Sequence, residues 1–431
     1  MPETLPFTPR CFLFLQGPHG PFFDQLARQL RRSGARTLRV GFNAGDRAFW
    51  RDPSRYISFT GSLSEWPEAL AALLTEHQIT DLVIYGDTRA IHAKAVALAR
   101  ARNLTVHTFE EGYLRPYWVT YEHNGTNGHS DLMDMSIAQM AMQLDQQKTD
   151  RPVPPGHWGD MRQHVFYGAL YHWFVLFWNK KYPQFKPHRA LNVGQEFQLY
   201  LKRLLLMPLH ALGRILATWR IRRGSFPYHI ALLQLEHDSA FQAHSPYGTQ
   251  AAFVADVIEG FARGAPPHHH LVFKAHPLED GRAPLQRTLH HCAKAAGISD
   301  RVHFVRGGKL AGLLGDARSA VTVNSTAGQQ ALWRGIPLRA FGAAVYAKPE
   351  LVSDQTMVDF FRTPRPPDAE AYTQFRDFLL ATSQMPGSFY ASKGRRQLVR
   401  RVTDMMLGKQ DPYSQTRTKS EALRQQLRVV G

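Results

Sequence analysis

The sequence predicts an α/β protein built from two Rossmann-like domains, each on a parallel sheet, with a basic helical segment between them. Three observations carry this. Short apolar runs alternate with helically spaced segments over residues 11–120 and again over 228–341. Four runs of the first half end in polar loops that contain a glycine: Gly17, Gly45, Gly86 and Gly112. At 431 residues the chain is long enough for two cores of ordinary size. Strand–helix alternation of this kind puts parallel strands in one sheet with helices on both faces.

Taken in order, residues 12–15 form the first strand, and Phe23, Leu26 and Leu30 give the next segment helical spacing. Residues 37–42 are the second strand, broken by Asn43-Ala44-Gly45-Asp46. Residues 66–76 are helical, 81–85 a buried strand, 90–102 helical, and 104–109 a strand that runs into a Glu110-Glu111-Gly112 loop. This first domain covers residues 1–150. Residues 151–225 differ in character: Phe166, Tyr167, Tyr171, Trp173, Phe174, Phe177 and Trp178 stand among the basic pairs Lys180-Lys181, Lys202-Arg203 and Arg222-Arg223. Residues 201–221 have helical spacing, interrupted near Pro208. Such a segment either lies in a membrane interface or packs as an inter-domain helix on the core. The second domain, 226–365, carries strands at 230–235, 271–274, 302–305, 320–323 and 338–341. Helices at 249–262, 285–296, 310–316 and 329–333 separate them. Residues 366–431 are C-terminal helices and a polar, basic tail.

Hydrophobic residues at 44% and charged residues at 20% describe a globular chain. Its two cysteines, Cys11 and Cys292, make neither a disulfide framework nor a zinc spacing, which suits a reducing compartment. No apolar stretch approaches the roughly 18 residues of a membrane span, and no secretory signal is visible. The net charge of +17 calls for an anionic partner: nucleic acid, an anionic membrane surface or a phosphorylated substrate. No nucleic-acid reader motif is present, so nucleic acid is not expected.

Four motifs can carry chemistry. At 320–328 a strand runs into Asn324-Ser325-Thr326-Ala327-Gly328 and then a helix. Hydroxyls beside helix-start N–H groups bind a phosphate, or Ser325 and Thr326 simply cap the helix. Lys274 and His276 alternate at a strand end, where they neutralise and protonate a leaving phosphate. In 234–239, Glu236 and Asp238 close another strand; a carboxylate there serves as a nucleophile or steadies an oxocarbenium-like centre. Glu110 and Glu111, with Tyr113 and Arg115, suit acceptor binding, or form a solvated acidic turn. His268-His269-His270 has no carboxylate or cysteine in register and reads as a loop, so no metal site is expected.

Residues 14–23 (with Gln16 and His19), 110–116, 233–239, 274–277 and 324–328 occur in one order along the chain. Together they resemble the KpsS/LipB-type capsule polysaccharide proteins, a retaining β-Kdo glycosyltransferase family, over about residues 10–405. The resemblance implies a GT-B-like arrangement with the two sheets facing a central cleft, an N-terminal acceptor domain and a C-terminal nucleotide-sugar domain. It implies transfer of β-Kdo from CMP-Kdo to a phosphatidylglycerol-type lipid, or to its first Kdo, to start the capsule polysaccharide linker. It implies no cofactor or metal. It also implies a peripheral place on the cytoplasmic face of the bacterial inner membrane, with the capsule assembly and export machinery, including a second Kdo transferase, as partners. Gln234 and Asp238 match a Gln-x-x-x-Asp motif with a nucleophilic Asp. Lys274, His276 and Pro277 match a Lys-x-His-Pro phosphate motif, in which Ala275 stands where a second His is common. Implied roles are then catalysis for Asp238, His276 and Glu110 or Glu111. Lys274, Asn324, Ser325, Thr326 and Gly328 would hold the nucleotide, and Gln16, His19, Arg115, Gln234, Glu236 and Ser239 the substrate. The alternative is a non-enzymatic capsule-glycolipid-binding or export scaffold, which the basic aromatic segment would serve equally well.

Overall fold

The computed structural model describes residues 10–115, 117–145, 161–185, 193–277, 279, 283–408 and 411–413. The chain divides into two compact units. One comprises Met1–Asp131, Gln139–His188 and Asp377–Gly431; the other comprises Leu132–Ala138 and Arg189–Arg376. The first unit opens with β1 (Cys11–Phe14), β2 (Arg36–Gly41), β3 (Tyr56–Ser58), β4 (Asp81–Tyr85), β5 (Thr105–Glu111) and β6 (Trp118–His123). The second holds β7 (Tyr228–Leu232), β8 (His270–Lys274), β9 (Val302–Val305), β10 (Ala317–Thr322) and β11 (Leu338–Ala340). The chain then returns to the first unit with β12 (Gln384–Pro386).

The apolar runs are strands because helices cover both faces of each sheet, so no residue position is left for a polar alternation. Around β1, Phe12 and Phe14 enter one core with Phe22, Phe23 and Phe109. Cys11, Leu13 and Leu15 enter the opposite core with Leu70, Ile84 and Val96. In the second unit Ala231, Phe273 and Val321 pack under the helix Gln250–Gly264 through Phe253, Val257 and Phe261.

Several expectations are corrected. The first sheet is mixed, since β6 pairs antiparallel with β5 and with β12. Glu110 and Glu111 are the last two residues of β5, opposite Thr120 and Val119, and not part of a loop. The helix Val193–Gly224 runs through Pro208 without interruption. Residues 151–225 are not one insertion, because the division between units falls at 188/189. Nor do residues 366–431 stand alone. Leu398, Val402 and Met406 of the helix Ser392–Leu407 fill the core beside Leu26 and Leu30, covering apolar surface that the first 131 residues leave open. The tail after 413 lies outside the described residues.

Buried histidines mark the start of the second sheet. His229 Nδ1 pairs with Ser319 Oγ at 2.7 Å and Nε2 with His269 Nδ1 at 3.0 Å. Burial first, then the charge of His269, push His229 down to about 3. The folded ring is neutral where the unfolded chain, with its ordinary value near 6.5, takes up a proton. Stability is therefore whole above pH 6.5 and is lost as pH falls from 6.5 towards 3, by about 1.4 kcal/mol per pH unit for such a ring. Urea unfolding should show a lower midpoint at pH 5 than at pH 7; equal midpoints contradict it.

Candidate functional site

Both sheets share one strand order. The first holds β3-β2-β1-β4-β5 and the second β9-β8-β7-β10-β11, all parallel in these stretches. The chain winds outward one way from the first strand of each unit and the other way from the fourth. Crossovers on opposite faces leave a crevice beyond the carboxyl ends at that reversal, and ligands of such sheets bind there. In the second unit the reversal lies between β7 and β10, and in the first between β1 and β4.

Three of the four predicted motifs close neighbouring strands at the second reversal. Gln234, past β7, donates Nε2 to Asn324 Oδ1 at 2.7 Å, and its Oε1 accepts from Asn324 N at 3.0 Å. Asn324 Nδ2 donates to Ala240 O at 2.9 Å. This buried amide pair ties the β7 loop to the β10 turn. Asp238 caps the short helix Ser239–His244, with Oδ1 accepting from Ala240 N at 3.3 Å, and its carboxylate is exposed. The side chain of Ser239 lies outside the described residues. Glu236 has a structural task, because its Oε2 accepts from Gln250 N at 2.8 Å at the start of the helix Gln250–Gly264. A carboxylate stabilises that positive helix end.

Lys274 is the last residue of β8 and is buried, its Nζ donating to Ala275 O at 2.9 Å. Burial first, and the charge of Arg214 second, hold its ammonium down to about 8. His276 lies two residues beyond the end of the strand and is half-buried. The β10 turn also differs from expectation. Ala327 N donates to Ser325 Oγ at 3.2 Å, Gly328 N to Ser325 O and Gln329 N to Thr326 O. These helix-start N–H groups are taken, and what the turn offers is the half-buried Ser325 and Thr326. Gly328 is required for packing: a Cβ there would stand 2.7 Å from Tyr346 Oη, which donates to Ser325 O at 2.6 Å.

At the first unit's reversal the sequence foresaw Gln16 and His19 but not the cluster that holds them. Gln16 Nε2 donates to Tyr171 Oη at 3.0 Å, and Gln16 Oε1 accepts from Arg89 Nη1 at 2.9 Å. Tyr171 Oη accepts from Asn43 Nδ2 at 2.7 Å, and His19 stacks on the Tyr171 ring at 4.3 Å. Asp46 lies beneath, paired with Arg39 at 3.3 Å. Both ends of Gln16 are thus engaged within the protein. One strand over, Tyr85 Oη donates to Glu111 Oε1 at 3.4 Å, and His164 stacks on Tyr390 at 4.2 Å. Glu110 accepts from Glu111 N at 3.0 Å, so the two carboxylates have different surroundings. Arg115 is exposed and donates Nε to Gly112 O at 3.3 Å. Arg89 was legible in the sequence as a charge just past a strand end. Tyr171, Tyr390 and His164 arrive from distant segments and left no local signal. Among the described residues no group of three or more His, Cys, Asp or Glu could hold a metal.

The family model for "Capsule polysaccharide biosynthesis protein" matches residues 80–390. This chain belongs to that family. It is similar to the capsule polysaccharide modification protein LipB of Neisseria meningitidis, with 31% identity over 387 residues, 88% of this chain and 91% of LipB. It is 28% identical over 392 residues to the capsule polysaccharide export protein KpsS of Escherichia coli, covering 90% of this chain and 98% of KpsS. Among solved structures it is similar to the β-Kdo 2,7 transferase of Thermosulfurimonas dismutans KpsC, at 12% identity and a TM-score of 0.44 over 92% of this chain and 100% of that one. The β-Kdo 2,4 transferase of the same KpsC gives 13% identity and 0.35 over 85% and 97%. This capsule polysaccharide family member carries the Gln234–Asp238 and Lys274–Pro277 motifs and the 324–328 turn inside the matched region, as it does Glu110, Glu111 and Arg115. Gln16 and His19 precede it.

Proposed function

We propose that this protein is a retaining glycosyltransferase that moves β-Kdo from CMP-Kdo to a phosphatidylglycerol-type lipid, or to its first Kdo, and so starts the capsule polysaccharide linker. The observation that carries it is the strand order β10-β7-β8, which sets an exposed carboxylate, a buried lysine and a hydroxyl-rich turn side by side at one reversal. Family membership and the names of the relatives support the capsule pathway.

In this reading Asp238 attacks the anomeric carbon as the bond to CMP breaks, and CMP leaves with the bonding electrons. Lys274 offsets the charge on the departing phosphate, His276 protonates it, and Ser325 and Thr326 hydrogen-bond it. An acceptor hydroxyl then displaces Asp238 and gives its proton to a carboxylate base. Two inversions retain configuration. No cofactor enters this scheme. Mass spectrometry of the lipids after incubation with CMP-Kdo and short-chain phosphatidylglycerol tests it; no mass increase of one Kdo, with no CMP released, would sink the proposal.

No helix among the described residues is long and apolar enough to cross a membrane. The helix Met161–Phe177 exposes Val165, Phe166, Trp173 and Phe177, followed by exposed Trp178, Lys180 and Lys181. In the other unit the helix Val193–Gly224 exposes Leu209, Leu212, Ile215 and Trp219 beside Arg220 and Arg223. Aromatic and basic surface of this kind suits an anionic leaflet, where each cation adds roughly 1 kcal/mol. We infer peripheral attachment to the cytoplasmic face of the inner membrane, beside the export machinery and a second Kdo transferase. The protein should float with phosphatidylglycerol vesicles and not with phosphatidylcholine ones. A Trp173→Ala, Phe177→Ala, Trp178→Ala variant should float less; if it floats like the parent, this helix is not the contact.

A further inference from the structure

One face of the helix Val193–Gly224 is committed to the carboxyl end of β9. His210 and Arg214, one turn apart, lie on that face. Arg306, directly past β9, pairs Nη1 with His210 Nε2 at 2.8 Å and donates Nη2 to Gln286 Oε1 at 3.3 Å. Gly307 and Gly308 follow with φ of +60° and +81°. A Cβ at Gly308 would collide with Arg214 Cδ, and one at Gly307 would stand 3.6 Å from Pro277 Cα. This left-handed turn, which glycine alone adopts without strain, therefore seats Arg214 against the loop that begins at Lys274. Arg214 acts on the Lys274 ammonium strongly enough to weaken its hold on the proton. Arg214 thus approaches Lys274, and Arg306 follows Val305, the residue of β9 that pairs with Lys274; among the described residues none of the three is in an ion pair with a carboxylate. Gathered like charges with no carboxylate partner among the described residues call for an external one. A nucleoside monophosphate diester brings a single negative charge, which three cations exceed.

We propose that Arg214 and Arg306, together with Lys274, form an oxyanion subsite that takes a second acidic group beside the nucleotide phosphate. That group is the carboxylate of an acidic sugar on the donor or the phosphodiester of the acceptor lipid. The subsite rests on the transferase reading for its ligand, and on the β8–β9 geometry alone for its existence. Its effect is selectivity: neutral sugars on the same nucleotide lack the group that the guanidinium planes grip.

Isothermal titration of the full chain with CMP, CMP-Kdo and short-chain phosphatidylglycerol tests it in the parent, Arg214→Met and Arg306→Met, with circular dichroism confirming the fold. Arg214→Met should weaken CMP-Kdo by about 10-fold or more, as expected for a lost charge-assisted contact, while CMP changes little. Loss confined to phosphatidylglycerol would assign the subsite to the acceptor. Equal losses for CMP and CMP-Kdo, or none for any probe, overturn it. A parent that binds no CMP removes the transferase reading instead. In that case, thermal stabilisation by inorganic phosphate that Arg214→Met abolishes keeps the oxyanion site, and absence of stabilisation removes it too. Gly308→Ala, which displaces Arg214 without deleting it, should reproduce the Arg214→Met pattern.

Discussion

Asp238→Asn should abolish sugar transfer and leave the fold untouched, lowering kcat by about 10³-fold or more, the scale on which loss of a nucleophile is felt. The asparagine oxygen can still accept from Ala240 N, so the cap on the helix Ser239–His244 survives. What it cannot do is form an ester with the anomeric carbon. Because Asp238 is exposed, no core packing is disturbed. The readouts are CMP release and the thermal midpoint. A variant that transfers at near the parental rate would take Asp238 out of the mechanism. A variant that loses both transfer and several degrees of stability would show that the cap, not the chemistry, was removed, and Asp238→Ser, which also caps, separates the two.

Replacing Lys274 with methionine should have the second-largest effect and move activity and stability in opposite directions. A buried ammonium held at about 8 and bonded only to Ala275 O among the described residues is an unfavourable group in the free protein. Methionine fills the space without charge, so the thermal midpoint should rise. The donor phosphate loses its buried counter-charge, and kcat/KM should fall by about 10²-fold. The pH dependence has a definite sign. Below pH 8 the free lysine is protonated and ready for phosphate; above it the lysine is neutral, so kcat/KM for the donor should fall by up to tenfold per pH unit. Lys274→Arg stays charged and should flatten that limb. A parental profile level from pH 7 to 9.5, or unchanged kcat/KM in Lys274→Met, would contradict the assignment.

Strand positions were readable where strands are buried on both faces. Residues 81–85 coincide with β4, where Leu82, Val83 and Ile84 are buried in succession, because a parallel strand between two helical layers is apolar on both faces. The antiparallel β6 escaped notice because Thr120, Glu122 and His123 make it look like a loop. All three are buried, and burial lifts the Glu122 carboxyl to about 8, with Ser130, Tyr113 and Tyr413 as hydrogen-bond partners that work against the rise. Tyr413 lies 291 residues away from Glu122, and no local pattern announces it. Glu110 and Glu111 were misread as loop residues for the same reason, since the strand that pairs with them was hidden.

By itself the sequence determined two α/β units, nine of their twelve strands and which motifs end those strands, because hydrophobic period and glycine punctuation act within a few residues of one another. The tertiary structure alone decided which motifs are neighbours and what each polar side chain is left to do. It set Asp238, Lys274 and the 324–326 turn along three adjacent strands, bound Gln234 to Asn324, and gave Glu236 and Gly328 structural tasks. It also drew Arg214 from a remote helix to the lysine. Such assignments depend on partners far apart in the chain, and only the folded packing brings their charges and hydrogen bonds within reach.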